Sequence, residues 1–411
     1  MKLRLKGHLV TMSALMLVVS LLAACGTTTQ QYSSSHRIIV GRCSQQPWPI
    51  TKRLTTGPSL SQSVYFISGT HLYALDAGNG AVRWCMYASY ADTPLATLAN
   101  AASLLGMEGP PPLPDGFTGL TVSNGTIYAC SLNGSTYAFQ SASGALLWQH
   151  DTGFDNTSAP TVVDGVVYVG SGSIYALNAQ GGSERWNYPT SDVVTSSPVI
   201  VNDVLYVGSY GDRVYALNAS TGALRWQYDT GGRVYVDPVA AADTVFFGAG
   251  NDGPTLYAVN ARNGKLLWHN SMPVQSVQSS LAVANGVLYV GSRNFLYALN
   301  PHNGAILWRR QVATPFTPLI VNGIIYIASG SAGMYALNAS DGTLRWHNAL
   351  NPMRAGETTR PLLMNGEVYV GTIDVGVSPS KAFIHALDAS SGTEDWYASV
   401  NWNVSTIGIA A

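Results

Sequence analysis

The chain has 411 residues, of which only 10% are charged, and a formal net charge of −1. That balance excludes a broad electrostatic attraction to nucleic acid. With 42 glycines and 22 tyrosines, many in Val-Tyr-Val strings, the composition favours short strands and tight turns over long helices.

At the N-terminus Lys2, Arg4 and Lys6 precede an apolar run from Leu9 to Leu22, too short and wrongly flanked for an ordinary membrane span. The run ends in Leu22-Ala23-Ala24-Cys25-Gly26, which resembles a bacterial lipobox. Residues 1–24 are therefore expected to be a lipoprotein signal peptide, with Cys25 acylated and the protein exported and anchored to the cell membrane or outer membrane. A plain secretory signal with an incidental cysteine is the alternative. Residues 25–52 read as a lipidated tether and N-terminal extension, polar from Gln30 to Ser35. Of the three further cysteines, Cys43, Cys85 and Cys130, at most two can pair with each other. A Cys43 to Cys85 bridge would pin the extension to the first repeat, and three buried thiols are the alternative.

From there on the sequence repeats. Eight tryptophans, Trp84, Trp148, Trp186, Trp226, Trp268, Trp308, Trp346 and Trp396, each follow a glycine by four residues and an alanine by ten. Eleven residues before, seven units carry tyrosine and the last carries His385. A period near 40 residues points to a propeller or similar array. Residues 197–228 show the unit: strand Ser197–Val201, turn Asn202-Asp203, strand Val204–Gly208, turn Tyr210–Asp212, strand Arg213–Leu217, turn Asn218–Gly222, strand Ala223–Tyr228. Four strands make a blade. The tryptophans are expected to be structural, each covering a gap between blades with burial worth roughly 2–3 kcal/mol. The predicted fold is all-β, an eight-bladed β-propeller of four-stranded antiparallel blades over residues 53–411.

Two insertions interrupt the period. Residues 88–116, between units 1 and 2, include a predicted short helix, Ala91–Met107, and the run Pro110–Pro114. Thr372–Lys381, with Gly376 and Pro379, is predicted to be loop. Two segments compete for the inner strand of the first blade: Gly57–Leu60, and Ser405–Ala410, which is similar to Ser279–Ala284. The C-terminal segment is preferred, because it joins the chain ends and removes an exposed edge.

The string Tyr-Ala-Leu-Asn/Asp-Ala-x-x-Gly-x-x-x-Trp resembles the repeat of pyrrolo-quinoline quinone (PQQ) enzymes and related PQQ-like β-propellers, over about residues 56–398. Among them a short lipidated chain is most similar to BamB-type lipoproteins of outer-membrane protein assembly. The resemblance implies a non-catalytic scaffold, monomeric, binding envelope proteins or peptides. The rival reading is a PQQ-dependent oxidoreductase or a cofactor-binding relative, and an extracytoplasmic sugar- or peptide-binding sensor is a third alternative. Such an enzyme needs PQQ, a calcium ion and a basic aspartate. The repeat itself supplies none of these, no vicinal cysteines occur and no histidines show metal-ligand spacing, so no catalytic residue, metal or cofactor is assigned.

Within the units the turns Asn124-Gly125, Asp164-Gly165, Asn285-Gly286, Asn322-Gly323 and Asn365-Gly366 are nearly constant. Connections between blades, and turns between second and third strands, vary, and in an up-and-down blade these lie on one face. That face is the candidate binding surface. At its inner margin the residue before the first-strand proline is Ala159, Ser197, Asp237, Thr317 or Arg360, and Asp237 and Arg360 break a weakly polar series. Arg233, Tyr235, Arg354 and Glu357 complete the candidate set, as a mouth for a small polar or anionic ligand or a peptide. Solvated rim charges or a structural ion pair are the alternative.

Overall fold

The computed structural model describes residues 38–42, 52–53, 62–68, 71–90, 116–132, 134–153, 158–234, 236–250, 255–271, 281–292, 294–313, 315–330, 332–350, 358–374, 381–401 and 407–410. The chain divides after Ser35, and all of these lie in the second unit, His36–Ala411. Cys25, Tyr235, Arg354 and Glu357, the predicted helix Ala91–Met107 and Gly57–Leu60 fall outside the described residues.

Eight antiparallel sheets form an eight-bladed β-propeller, with no helix among the described residues. Blade 4 is typical: Val199–Val201, Val204–Ser209, Arg213–Asn218 and Leu224–Asp229, paired in that order from the inside outward. Its first turn holds Asn202 at φ 51° and Asp203 at φ 60°, the left-handed pair that a two-residue hairpin requires. The second and third strands are buried almost throughout, since both faces of a blade pack on neighbours, whereas the fourth alternates around Trp226. Ala216 lies across from Trp226, and the register then slips so that Leu217 faces Leu224 and Arg225 is the extra residue of a bulge.

The blades are joined by one contact repeated eight times. The indole of Trp186 covers Gly222 of the next blade so closely that a Cβ there would lie 2.7 Å from the ring, and Trp186 Nε1–H donates to the carbonyl of Ala219 at 3.0 Å. Gly222 has φ +73°, so its missing side chain serves both the turn and the docking. The Tyr168 hydroxyl donates to the same carbonyl at 3.2 Å. Around the ring every repeat tryptophan makes the equivalent indole bond, from Trp84 to Ser141 through to Trp396 to Ala77. The tyrosine partner is present in seven blades, and Phe246 takes its place in blade 5.

Closure uses both ends of the chain. Ile407–Ala410 pairs with Ser63–Ser68 as the inner strand of blade 1, and Trp396 of blade 8 docks over Gly80 of blade 1. Ile38–Arg42 adds outside blade 1 and Lys52–Arg53 outside blade 8. Arg42 faces Met86, and the neighbouring Cys85 is disulfide-bonded. Cys43 itself lies outside the described residues. Cys130 is a free, fully buried thiol that burial pushes up to about 12. The Thr372–Lys381 insertion is not wholly loop: Thr372, Ile373 and Asp374 pair with Phe383, Ala382 and Lys381, so the insertion first lengthens the hairpin. Backbone groups beside the buried Ile373 and Ala382 are satisfied by continuing the ladder.

Blade 8 also holds an acidic pair. Burial, with Asp395 beside it and Asp388 nearby, pushes the Glu367 carboxyl from 4.5 up to about 8. The folded chain thus keeps a proton that the unfolded chain releases, and stability falls as pH rises from about 4.5 towards 8. Glu367→Gln, which keeps a donor towards Asp395, is expected to flatten this fall and raise Tm at pH 8 but not at pH 4, measured by calorimetry at both. For the docking contact, Gly222→Ala should cost roughly 2–4 kcal/mol through strain and overpacking. Gly165→Ala has the same φ of +73° but meets no atom within 4 Å. It should cost only about 1 kcal/mol, and denaturant titration of both variants isolates the docking share.

Candidate functional site

Four bridges set the geometry of the loop face. Val194 pairs with Ser209, Val234 with Ala249, Pro315 with Ser329 and Thr358 with Thr372, so each connector lies against the far end of the second strand of the blade it enters. The connectors and the turns between second and third strands consequently share one face.

At its inner margin the pre-proline residues tie blade to blade. The Ala159 amide donates to Ser197 Oγ at 3.3 Å, and the Ser197 amide donates to Asp237 Oδ1 at 2.6 Å. The side chain of one blade thus satisfies the main chain of the blade before it, and a carboxylate makes the stronger bond. Asp237 is half-buried, while Arg360 is exposed. They stand on blades 5 and 8, so the ring separates them by three positions.

Arg233 is drawn into a different grouping. Its guanidinium lies 5.1 Å from the centroid of the Tyr210 ring, a cation–π contact across two segments. Together with Ser191, Asp192, Gly211, Asp212 and Arg213 they line a groove of about 930 Å³ over blade 4. The groove has a built floor. The Tyr210 amide donates to the Val193 carbonyl at 2.9 Å, Gly211 donates to Ser209 Oγ at 2.9 Å, and Ser191 Oγ lies 3.2 Å from the Tyr215 hydroxyl. A Cβ on Gly211 would come within 2.6 Å of Ser191 Oγ, so glycine lets the connector close over the turn. With two aspartates, two arginines and one aromatic face, this open surface suits an extended peptide carrying both charges.

Five of its residues, Ser191, Asp192, Tyr210, Asp212 and Arg213, were not singled out by spacing, because Tyr210-Gly211-Asp212 reads as a turn. A tyrosine in that turn, where blade 7 has Gly330-Ser331-Ala332, is the available clue. Where His385 replaces the repeat tyrosine it is fully buried, and both ring nitrogens find partners: Glu394 Oε1 at 2.6 Å and Thr372 Oγ1 at 3.2 Å. That satisfied network is part of the core. Among the described residues no three His, Cys, Asp or Glu side chains converge where a cation could sit.

Asp237→Ala leaves the Ser197 amide without its acceptor and is expected to cost about 1–3 kcal/mol. Asp237→Asn, which keeps an oxygen, should cost less, and urea denaturation of both distinguishes a tie from an idle rim charge.

Known proteins share this architecture. Over 83 residues, 20% of this chain and 21% of the relative, it is 31% identical to the outer membrane protein assembly factor BamB of Escherichia coli. The crystal structure of BamB from Moraxella catarrhalis superposes with a TM-score of 0.53 at 18% identity, over 68% of this chain and 94% of that one. A quinohemoprotein alcohol dehydrogenase from Pseudomonas putida superposes with a TM-score of 0.58 at 15% identity, over 77% and 69%. At such identities these two structures share the fold alone. The family described as outer membrane protein assembly factor BamB matches residues 68–192, 170–319 and 316–408. The chain belongs to that BamB family of PQQ-like β-propellers.

Proposed function

We propose that this protein is an exported, lipid-anchored propeller that acts as a non-catalytic scaffold, holding a peptide segment of an envelope protein across its loop face. The groove over blade 4 carries this reading: it is open, mixed in charge, and has the Arg233 guanidinium lying over the Tyr210 ring. Such a surface anchors a partner through an aromatic and an arginine, residue types that dominate binding at protein interfaces. Family membership and the assembly role in the E. coli relative's name support an envelope partner. The Leu22–Cys25 lipobox supports attachment through Cys25.

Asp237 Oδ1 accepts from the Ser197 amide, a tie between neighbouring blades that suits a structural part in a scaffold. Cross-linking in envelope extracts, followed by mass spectrometry, tests the proposal. A Tyr210→Ala, Arg233→Glu double variant should lose roughly tenfold or more of the captured partner while keeping the wild-type Tm. Undiminished capture by the double variant, or dye reduction on adding PQQ and calcium to the purified chain, would contradict it.

A further inference from the structure

The outer edge of the ring carries a second surface, unrelated to the loop face. Leu266 and Leu267 of blade 5, Ile306 and Leu307 of blade 6, and Leu344 of blade 7 are each between 43% and 54% exposed. They occupy the two positions before the repeat tryptophan, where Val82 of blade 1, Leu146 and Leu147 of blade 2 and Leu224 of blade 4 are also exposed. The fold does not demand aliphatic residues there, because blade 3 carries Glu184-Arg185 and blade 8 carries Glu394-Asp395 at the same positions. Paired exposed aliphatic side chains on neighbouring blades, with charge of one sign around them, mark an interaction surface.

Its charge is one-sided. Lys265 precedes the blade 5 pair, and Arg309 and Arg310 follow the blade 6 pair, while residues 261–271 and 301–311 contain no aspartate or glutamate. Arg262 is held by Asp243 at 3.2 Å, but among the described residues no carboxylate lies within ion-pair distance of Lys265, Arg309 or Arg310. Arg309 instead rests over the Phe295 ring at 5.3 Å. In a chain of net charge −1 this is a local cationic rim around an aliphatic strip.

The same bulge precedes the tryptophan in every blade, including blades 1 and 8, whose outer edges take an added strand. Val259 pairs with Leu266 and Ala258 with Trp268, leaving Leu267 as the extra residue of a bulge, and Leu307 is left in the same way between Ile306 and Trp308. At these bulges the extra side chain is turned outward, and Leu267 and Leu307 are the most exposed of the five. Aliphatic knuckles ringed by unpaired cations match an anionic bilayer, whose headgroups meet the cations while the knuckles enter the acyl boundary. We propose that the outer edge of blades 5 and 6, extended by Leu344 of blade 7, docks on an anionic lipid surface.

The test uses the full chain carrying Cys25→Ser, so that no acyl group delivers it to the bilayer, with vesicles of phosphatidylcholine alone or mixed with phosphatidylglycerol. Hydrogen exchange resolved by segment separates the rim from any attachment through the N-terminus. Protection of Leu266–Ser271 and Ile306–Gln311 is expected with the anionic vesicles only, and not at the blade 3 strand Glu184–Pro189. Leu267→Glu with Leu307→Glu should abolish it. Lys265→Gln, Arg309→Gln and Arg310→Gln should each weaken binding about fivefold, all with unchanged Tm. Equal protection on both vesicle types, protection retained in the double glutamate variant, or protection that needs an added protein and no lipid would overturn the proposal. Arg233→Glu should leave this binding unaltered, so its failure and that of the loop-face scaffold are separable.

Discussion

Everything in this ring depends on an indole lying where a glycine has no side chain. Each repeat tryptophan closes the gap to the next blade, and its N–H takes a carbonyl that seven of eight blades also bond through a tyrosine hydroxyl. Two large aromatics, one shared acceptor and one positive-φ glycine form a joint that admits little variation. The last joint, Trp396 on Gly80, is the same as the others, so the ring closes by repeating its own rule, with Ile407–Ala410 completing the sheet.

With stability held in the joints, the loop face is free to differ from blade to blade. Blade 4 uses that freedom to bring Tyr210 and Arg233 together, and blade 5 uses Asp237 to tie the inner margin. The outer edge shows a similar division: tryptophan is required at its place, while the two residues before it range from Leu266-Leu267 to Glu394-Asp395. Partner choice can therefore be written on either surface without disturbing how blades dock.

Repetition explains why so much of the fold was legible. Fixed offsets of glycine, alanine and tryptophan are visible in a linear string because the joint links corresponding points of successive units. The inner strand Ile407–Ala410 was legible through its likeness to Ser279–Ala284. What stayed hidden pairs residues without a period. Glu367 meets Asp395 across blade 8, the Arg233 stack joins a connector to a turn, and the acceptor role of Asp237 is towards a main-chain amide that leaves no trace in composition. Gly376 and Pro379 made Thr372–Lys381 look like loop, although its margins continue the hairpin.

The central claim is that the joints hold the ring while the loops carry recognition. Replacing Tyr210 by alanine while keeping Gly211 and Asp212 tests it in one protein, by measuring thermal unfolding and partner capture side by side. An unfolding midpoint unchanged from wild type, with capture lost, is the predicted result. A midpoint lowered as far as by a broken joint, or capture that survives the substitution, would contradict it.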